Sequence, residues 1–178
     1  MISFSNKNVL VASVADMAAI TVLLNSAYRG ESSKQGWTTE ANIIAGDVRT
    51  DENSLLELIK KPNCIIVKYT NDDEQIIGCV NLQQQDNKIY LGMLSVSPQL
   101  QGGGVGKQLL NAAEEYARNL QCLTVYMTVV TIRTELIDWY KRYGYKDTGE
   151  RKSFTEDGLT GKHLQTLEFM VMEKNIST

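Results

Sequence analysis

Four glycines fall within five positions of this chain, Gly102, Gly103, Gly104 and Gly106, between Gln101 and Lys107. Glycine lets a backbone pass close to another group without Cβ obstruction. Upstream, Met93, Leu94 and Val96 supply strand-forming apolar mass, and Pro98 ends the ladder because it has no N–H to donate. Downstream the apolar spacing turns helical. Val105, Leu109, Ala113, Tyr116, Ala117 and Leu120 share one face, with Glu114 and Arg118 as an i,i+4 pair on the other. A glycine turn that feeds a helix N-terminus presents unpaired N–H groups and the positive end of the helix dipole, which together make a site for an anion such as phosphate.

Counting excludes two phosphate motifs. A Walker A loop needs a hydroxyl after Gly-Lys and a glycine five residues before the second Gly, but Gly106-Lys107 is followed by Gln108, and Gln101 stands five residues before Gly106. A dinucleotide fingerprint starting at Gly102 and Gly104 needs a third glycine where Lys107 stands. What remains is Gln-x-x-Gly-x-Gly at Gln101, Gly104 and Gly106. A second chemistry-bearing stretch is residues 139–145, WYKRYGY. There Leu136, Tyr140 and Tyr143 stand at i, i+4 and i+7, the spacing of a helix facing a core. The chain's one histidine, His163, excludes a His-based metal cluster, and no nucleophile elbow supports a Ser-His-Asp hydrolase.

The elements that must position these residues follow from periodicity. Residues 8–14 read as a first strand, and Asp16 caps a helix with Met17, Ile20, Leu23, Leu24 and Ala27 on one face, ending near Gly30. Residues 30–36 are polar and flexible, and Thr38 or Thr39 opens a short helix through Ile43, Ile44 and Ala45. Residues 52–60 form another helix, ended by Pro62. Residues 64–69, 75–83 and 88–97 read as a three-strand meander with turns at 71–73 and 85–87. After the glycine loop and its helix, residues 122–130 form a strand parallel to the one before the loop. A helix over 134–143 with Gly144 past its end and two strands over 145–154 and 164–174 close the chain. These elements predict a mixed α/β (α+β) fold in one domain, residues 1–178.

With 178 residues, 43% hydrophobic and 22% charged, the chain has the composition of a globular domain with a sizeable core. A net charge of −3 without a long basic run argues against nucleic acid as a partner. No apolar run approaches the ~18 residues of a membrane span, and the first residues lack a signal-peptide pattern. Cys64, Cys79 and Cys122 are odd in number and dispersed in apolar surroundings, so they read as buried free thiols of a reducing, cytoplasmic setting.

The glycine loop, with Leu94-x-Val96-x-Pro98 before it, resembles the acetyl-CoA pyrophosphate loop of the GNAT superfamily of N-acetyltransferases. Residues 139–145 are similar to that family's aromatic-Tyr-x-x-x-Gly-aromatic helix end, and the order of elements is also the family's. The resemblance implies a mostly antiparallel sheet with one parallel, splayed pair, flanked by helices. It implies that main-chain groups of Leu94, Ser95 and Val96 face the pantetheine and the thioester, and that Gln101, Gly102, Gly103, Gly104, Val105, Gly106 and Lys107 hold the pyrophosphate. It makes Tyr140 the general acid for the departing thiolate of coenzyme A. Acetyl-CoA is then the cosubstrate, no metal is involved, and a small-molecule or peptide primary amine is the acceptor, attacking directly without a covalent enzyme intermediate. The acidic composition suits a cationic or amino-terminal acceptor.

Two positions depart from the family pattern. Arg133 stands where an Asn often contacts the cofactor and is the cofactor-binding candidate at that position, able to bond a carbonyl or phosphate, and Tyr90, Leu91, Gly92 and Met93 hold no acid where many members carry a glutamate base. Glu40 is the substitute candidate, with Tyr28, Trp37 and Thr39 as acceptor-pocket residues. The missing strand acid keeps a second reading open, a CoA-binding regulatory or sensor domain without turnover; a nucleotide-phosphate binder is a third. Monomer or homodimer is left open.

Overall fold

The computed structural model describes residues 2–176. The chain runs β1 (Val9–Val11), a 3-10 turn (Val14–Asp16), α1 (Met17–Tyr28), α2 (Gly30–Ser33), β2 (Ile44–Ala45) and α3 (Glu52–Ile59). It continues through β3 (Cys64–Thr70), β4 (Ile76–Gln85), β5 (Lys88–Val96), α4 (Val105–Asn119), β6 (Thr124–Val130) and α5 (Thr134–Arg142). It ends with β7 (Lys146–Phe154), β8 (Lys162–His163) and β9 (Leu167–Asn175). Seven strands form one sheet in the order β1-β3-β4-β5-β6-β9-β7, and β2 pairs with β8 in a separate ribbon. Every neighbouring pair in the large sheet is antiparallel except β5 with β6, which the α4 crossover makes parallel.

Strand alternation puts a helical layer on each side of this sheet. Ile66 and Cys79 pack with α1 and α3, through Met17, Ile20, Leu24 and Leu55. Their chain neighbours Val67 and Val80 point the other way, against Leu109, Ala113 and Tyr116 of α4 and Ile137 and Tyr140 of α5. Leu109 and Leu110 are fully buried, and each such side chain contributes about 1.5–3 kcal/mol.

The feature that shapes the site is a bulge in β5. Asn81 pairs with Gly92 and Cys79 with Ser95, so the single residue Val80 faces both Met93 and Leu94. Met93 takes a left-handed conformation with φ +53°, and the extra residue bends the strand. On its other edge β5 pairs with β6 only at Lys88 with Thr124, Ile89 with Val125 and Tyr90 with Tyr126, although β5 continues to Val96 and β6 to Val130. The two strands therefore part beyond Tyr90 and leave a wedge between them.

Several sequence expectations are corrected. The short helix expected through Ile43–Ala45 is a single turn, closed by Ile43 N–H and Ile44 N–H on Glu40 O at 2.9 Å each, and it runs into β2. Ile44 is fully buried against Val130 and Leu167, and that packing outweighs a helix too short to sustain itself. The segment read as flexible begins with α2, closed by Ser33 Oγ donating to Gly30 O at 2.8 Å. Asp16 does not cap α1 with its side chain. Its carboxylate instead takes Ser13 N–H and Lys68 Nζ, each at 2.7 Å. Glu114 does pair with Arg118, at 3.5 Å, but it is buried and also accepts from Lys174 of β9 at 2.7 Å.

Candidate active site

One cavity of about 540 Å³ lies between the glycine loop and α5, within the size range of small-molecule sites. Gly102, Gly104, Val105, Gly106 and Lys107 line one wall, and Leu136, Trp139, Tyr140 and Tyr143 the other. Gly104 sits at φ +86° directly before α4, and the first helical bond runs from Gln108 N–H to Gly104 O at 3.1 Å. The N–H groups of Val105, Gly106 and Lys107 consequently have no partner within the helix. No acidic residue occupies that first turn, and Lys107 is exposed beside it. The glycine at 106 answers a packing demand, since a Cβ there would stand 3.2 Å from the Trp139 ring. The loop thus offers main-chain donors, a dipole end and a lysine, a donor set that fits a diphosphate.

Gln101 fixes the loop to its surroundings. Its side-chain oxygen accepts from Trp37 N–H at 2.9 Å, while its amide donates to Thr38 Oγ1 at 2.8 Å and Val96 O at 3.1 Å. It ties residues 37–38 to the end of β5 and sets Trp37 over the cavity mouth, its ring 6.1 Å from that of Trp139.

A second, smaller cavity of about 180 Å³ opens on the other side of the wedge. Tyr28, Leu94, Leu136 and Tyr140 line both cavities, so the two meet at these four residues. Ser97 N–H donates to Ile77 O at 2.8 Å, which turns Ser97, and by alternation Ser95, toward β4. Leu94 and Val96 therefore turn their main-chain groups toward the wedge. Tyr28 Oη donates to Leu94 O there. Tyr140 is buried between Trp139, Tyr145 and the sheet, and its hydroxyl has no hydrogen-bond partner among the described residues. Burial raises the pKa of Tyr140, with Tyr28 beside it adding to the effect, and burial likewise raises Tyr28. Both phenols keep their protons at neutral pH.

The smaller cavity is built around Glu40. Arg29 Nη1 and Arg133 Nη1 donate to its two oxygens, the latter at 3.1 Å, and Arg133 Nη2 also donates to Thr38 O at 2.6 Å. Burial alone would raise the Glu40 pKa, but the charges of Arg49, Arg133 and Arg29 more than reverse it and hold the carboxyl below the usual range. Arg49 stacks on the Tyr28 ring with its guanidinium 5.0 Å from the centroid. Asn25 of α1 fixes its main chain, accepting from Arg49 N–H at 2.6 Å and Thr50 N–H at 3.0 Å.

Of the residues singled out from the sequence, Tyr28, Trp37, Leu94, Val96, Gln101, Gly102, Gly104, Val105, Gly106, Lys107 and Tyr140 line the larger cavity. Ser95 and Gly103 line neither cavity. Ser95 is buried and its hydroxyl donates to Met93 O at 3.1 Å. Thr39 also stays outside both, with its hydroxyl on Ser33 Oγ at 2.6 Å and on Ala41 N–H at 3.1 Å. Arg133 and Glu40 face the smaller cavity, Arg133 committed to Glu40 and Thr38. Sequence reasoning missed Arg29 and Arg49. Neither sits in a motif, and only the folded chain brings them to Glu40.

The family model for the Acetyltransferase (GNAT) family matches residues 19–145. An acetyltransferase of Agrobacterium fabrum (strain C58) is 30% identical over 83 residues, which span 47% of this chain and 59% of that protein's length. Among solved structures, the ribosomal-protein-S18-alanine N-acetyltransferase from Escherichia coli superposes with a TM-score of 0.71 at 14% identity, covering 96% of this chain and 94% of its own. An N-acetyltransferase from Staphylococcus aureus Mu50 gives 0.69 at 15% identity, covering 97% and 100%. At such identities the superpositions establish the fold alone. The family match spans the wedge, the glycine loop and the aromatic helix end together, and the chain belongs to the GNAT family of acetyltransferases.

Proposed function

We propose that residues 1–178 act as one acetyl-CoA-dependent N-acetyltransferase domain in which a primary amine attacks the thioester directly. The observation that carries this reading is the meeting of two cavities at Tyr28, Leu94, Leu136 and Tyr140, one walled by the glycine loop and the other by the arginine cluster. Donor and acceptor can enter from opposite sides and meet at a buried phenol. The donor supplies an activated acetyl group. Main-chain donors at the start of α4, with Lys107, hold its diphosphate. The N–H groups of Leu94 and Val96, turned into the wedge, are aimed where negative charge develops on the carbonyl oxygen. Tyr140 holds a proton on Oη and gives it to the departing sulfur as the C–S bond breaks, and the proton shed by the attacking nitrogen as the amide forms restores the phenol. Cys122 is buried with its thiol pushed up by burial, and so is unsuited to form an acyl-enzyme.

Amine deprotonation needs no protein base on this account. Glu40 is held ionised in its ion pairs and has little affinity for a proton. The same guanidinium groups disfavour an ammonium beside them, so an amine in this cavity loses its proton more readily than in water. The buried thiols of Cys64, Cys79 and Cys122 support a cytoplasmic setting.

The test is thiol release from acetyl-CoA with a panel of primary amines, with the product mapped by mass spectrometry. Acetyl on nitrogen in a 1:1 ratio to thiol supports the reading. The engagement of Glu40 in ion pairs also suits a silent CoA-binding regulator, which would bind acetyl-CoA and release no thiol with any amine.

A further inference from the structure

The acceptor-side cavity is more positive than the chain as a whole, whose net charge is −3. Three guanidinium groups, Arg29, Arg49 and Arg133, gather around the single carboxylate of Glu40. Asp157 lines the cavity too, one of its oxygens accepting Leu159 N–H, Thr160 N–H and Thr160 Oγ1; the lining charges Arg49, Arg133, Glu40 and Asp157 balance, and Arg29, fully buried against Glu40, tips the cluster to net positive. Arg29 and Arg133 are taken up by Glu40 and by the carbonyls of Thr160 and Thr38. Arg49 is not. It lines the cavity, has no carboxylate within ion-pair distance among the described residues, and its Nε is buried with no hydrogen-bond partner. Arg29 Nη2 is likewise buried and unpartnered.

Buried donors are ordinarily satisfied, and a half-buried guanidinium that touches no carboxylate is costly unless a ligand supplies one. The Asn25 bracket and the Tyr28 ring hold Arg49 in place with no protein acceptor to meet, which is how a ligand-binding group is prepared. The cavity volume of about 180 Å³ is below that of drug-sized sites, so the ligand is small.

Resting on the transferase reading above, we propose that the acceptor is a small amine bearing an oxyanion, a carboxylate in the simplest case, that docks on Arg49 and directs its amine to the wedge beside Tyr140. This reverses the expectation from overall composition that the acceptor is cationic. The surface charge of the whole chain is remote from the cavity and screened, whereas Arg49 and Arg133 line it.

The experiment measures KM and kcat with acetyl-CoA for small amino acids, for the matched amino amides and for the matched aminophosphonates. A charge-assisted, bidentate contact predicts a kcat/KM on the order of 10- to 100-fold higher for the carboxylate than for its amide. Phosphonates that are turned over comparably show that the site reads an oxyanion, and phosphonates that fail narrow it to a carboxylate; either result holds only with the amide disfavoured. Arg49→Met should raise KM for the anionic amines and erase the preference, while the acetyl-CoA affinity stays as in the parent. Arg49→Lys should restore part of it. Acetyl-CoA binding with amides turned over as well as acids, or with silence toward every anionic amine, overturns the inference. Absence of acetyl-CoA binding would instead remove the transferase reading beneath it.

Discussion

Glu40→Gln separates a structural carboxylate from a catalytic one. The Arg29 side chain is 0% exposed and that of Glu40 8%, and Arg29 Nη2 already lacks a partner. Removing the charge at 40 leaves Arg29 buried without a counter-ion, the situation that costs about 3–5 kcal/mol. The Lys34–Glu31 pair is an internal control: it is close at 2.5 Å, but its side chains are 48% and 88% exposed, so Glu31→Gln should cost no more than about 1 kcal/mol. At this chain length each kcal/mol moves the melting temperature by about 2–4 °C, so Glu40→Gln should melt roughly 6–20 °C below the parent. Because the native carboxyl titrates below its unfolded value, its stabilisation is present above about pH 4.3 and is lost as pH falls through the native pKa. The gap between parent and variant should therefore be full at pH 7 and close in acid. Urea and thermal unfolding of parent, Glu40→Gln and Glu31→Gln at both pH values read this directly. Equal small losses for both variants, with a collapse in turnover for Glu40→Gln alone, would refute the ion-pair account and restore Glu40 as a base.

Tyr140→Phe should lower kcat by about 10²-fold with acetyl-CoA affinity unchanged, since its hydroxyl has no partner to lose among the described residues; an unchanged kcat in steady-state assays reduces Tyr140 to packing. The pH profile of kcat/KM should rise as the amine loses its proton and show no alkaline fall below about pH 10, because burial pushes Tyr140 above the ordinary tyrosine value. Gly104→Val forces a β-branched residue to φ +86° at the anion cradle and should weaken acetyl-CoA binding at least about tenfold by titration. Gly149→Val imposes similar strain at φ +85° outside the site and should leave that affinity unchanged.

The legible parts of the fold were those encoded locally. The hairpins β3–β4 and β4–β5, the strand-to-helix turn at Gly102–Gly106 and the apolar stripe of α4 each follow from residues close in sequence. The short elements were not legible: β2 is two residues long and exists because Ile44 packs on Val130 and Leu167 and pairs with His163. The wedge was implied by family resemblance, but its local cause, the extra residue at Met93–Leu94, leaves no mark in the apolar alternation. The arginine cluster was invisible for the plainest reason. Arg29 ends α1, Arg49 lies in a loop and Arg133 precedes α5, and no periodicity links them until tertiary structure brings them to one carboxylate.

The proposed transfer requires first that the cavity between the glycine loop and α5 hold the acyl donor. Calorimetric titration with acetyl-CoA, coenzyme A and ATP at one salt concentration tests it most directly. Micromolar binding of both CoA ligands, weak or no binding of ATP, and loss of the CoA signal in Gly104→Val are expected. No heat from either CoA ligand, or ATP binding as tightly as CoA, would contradict it.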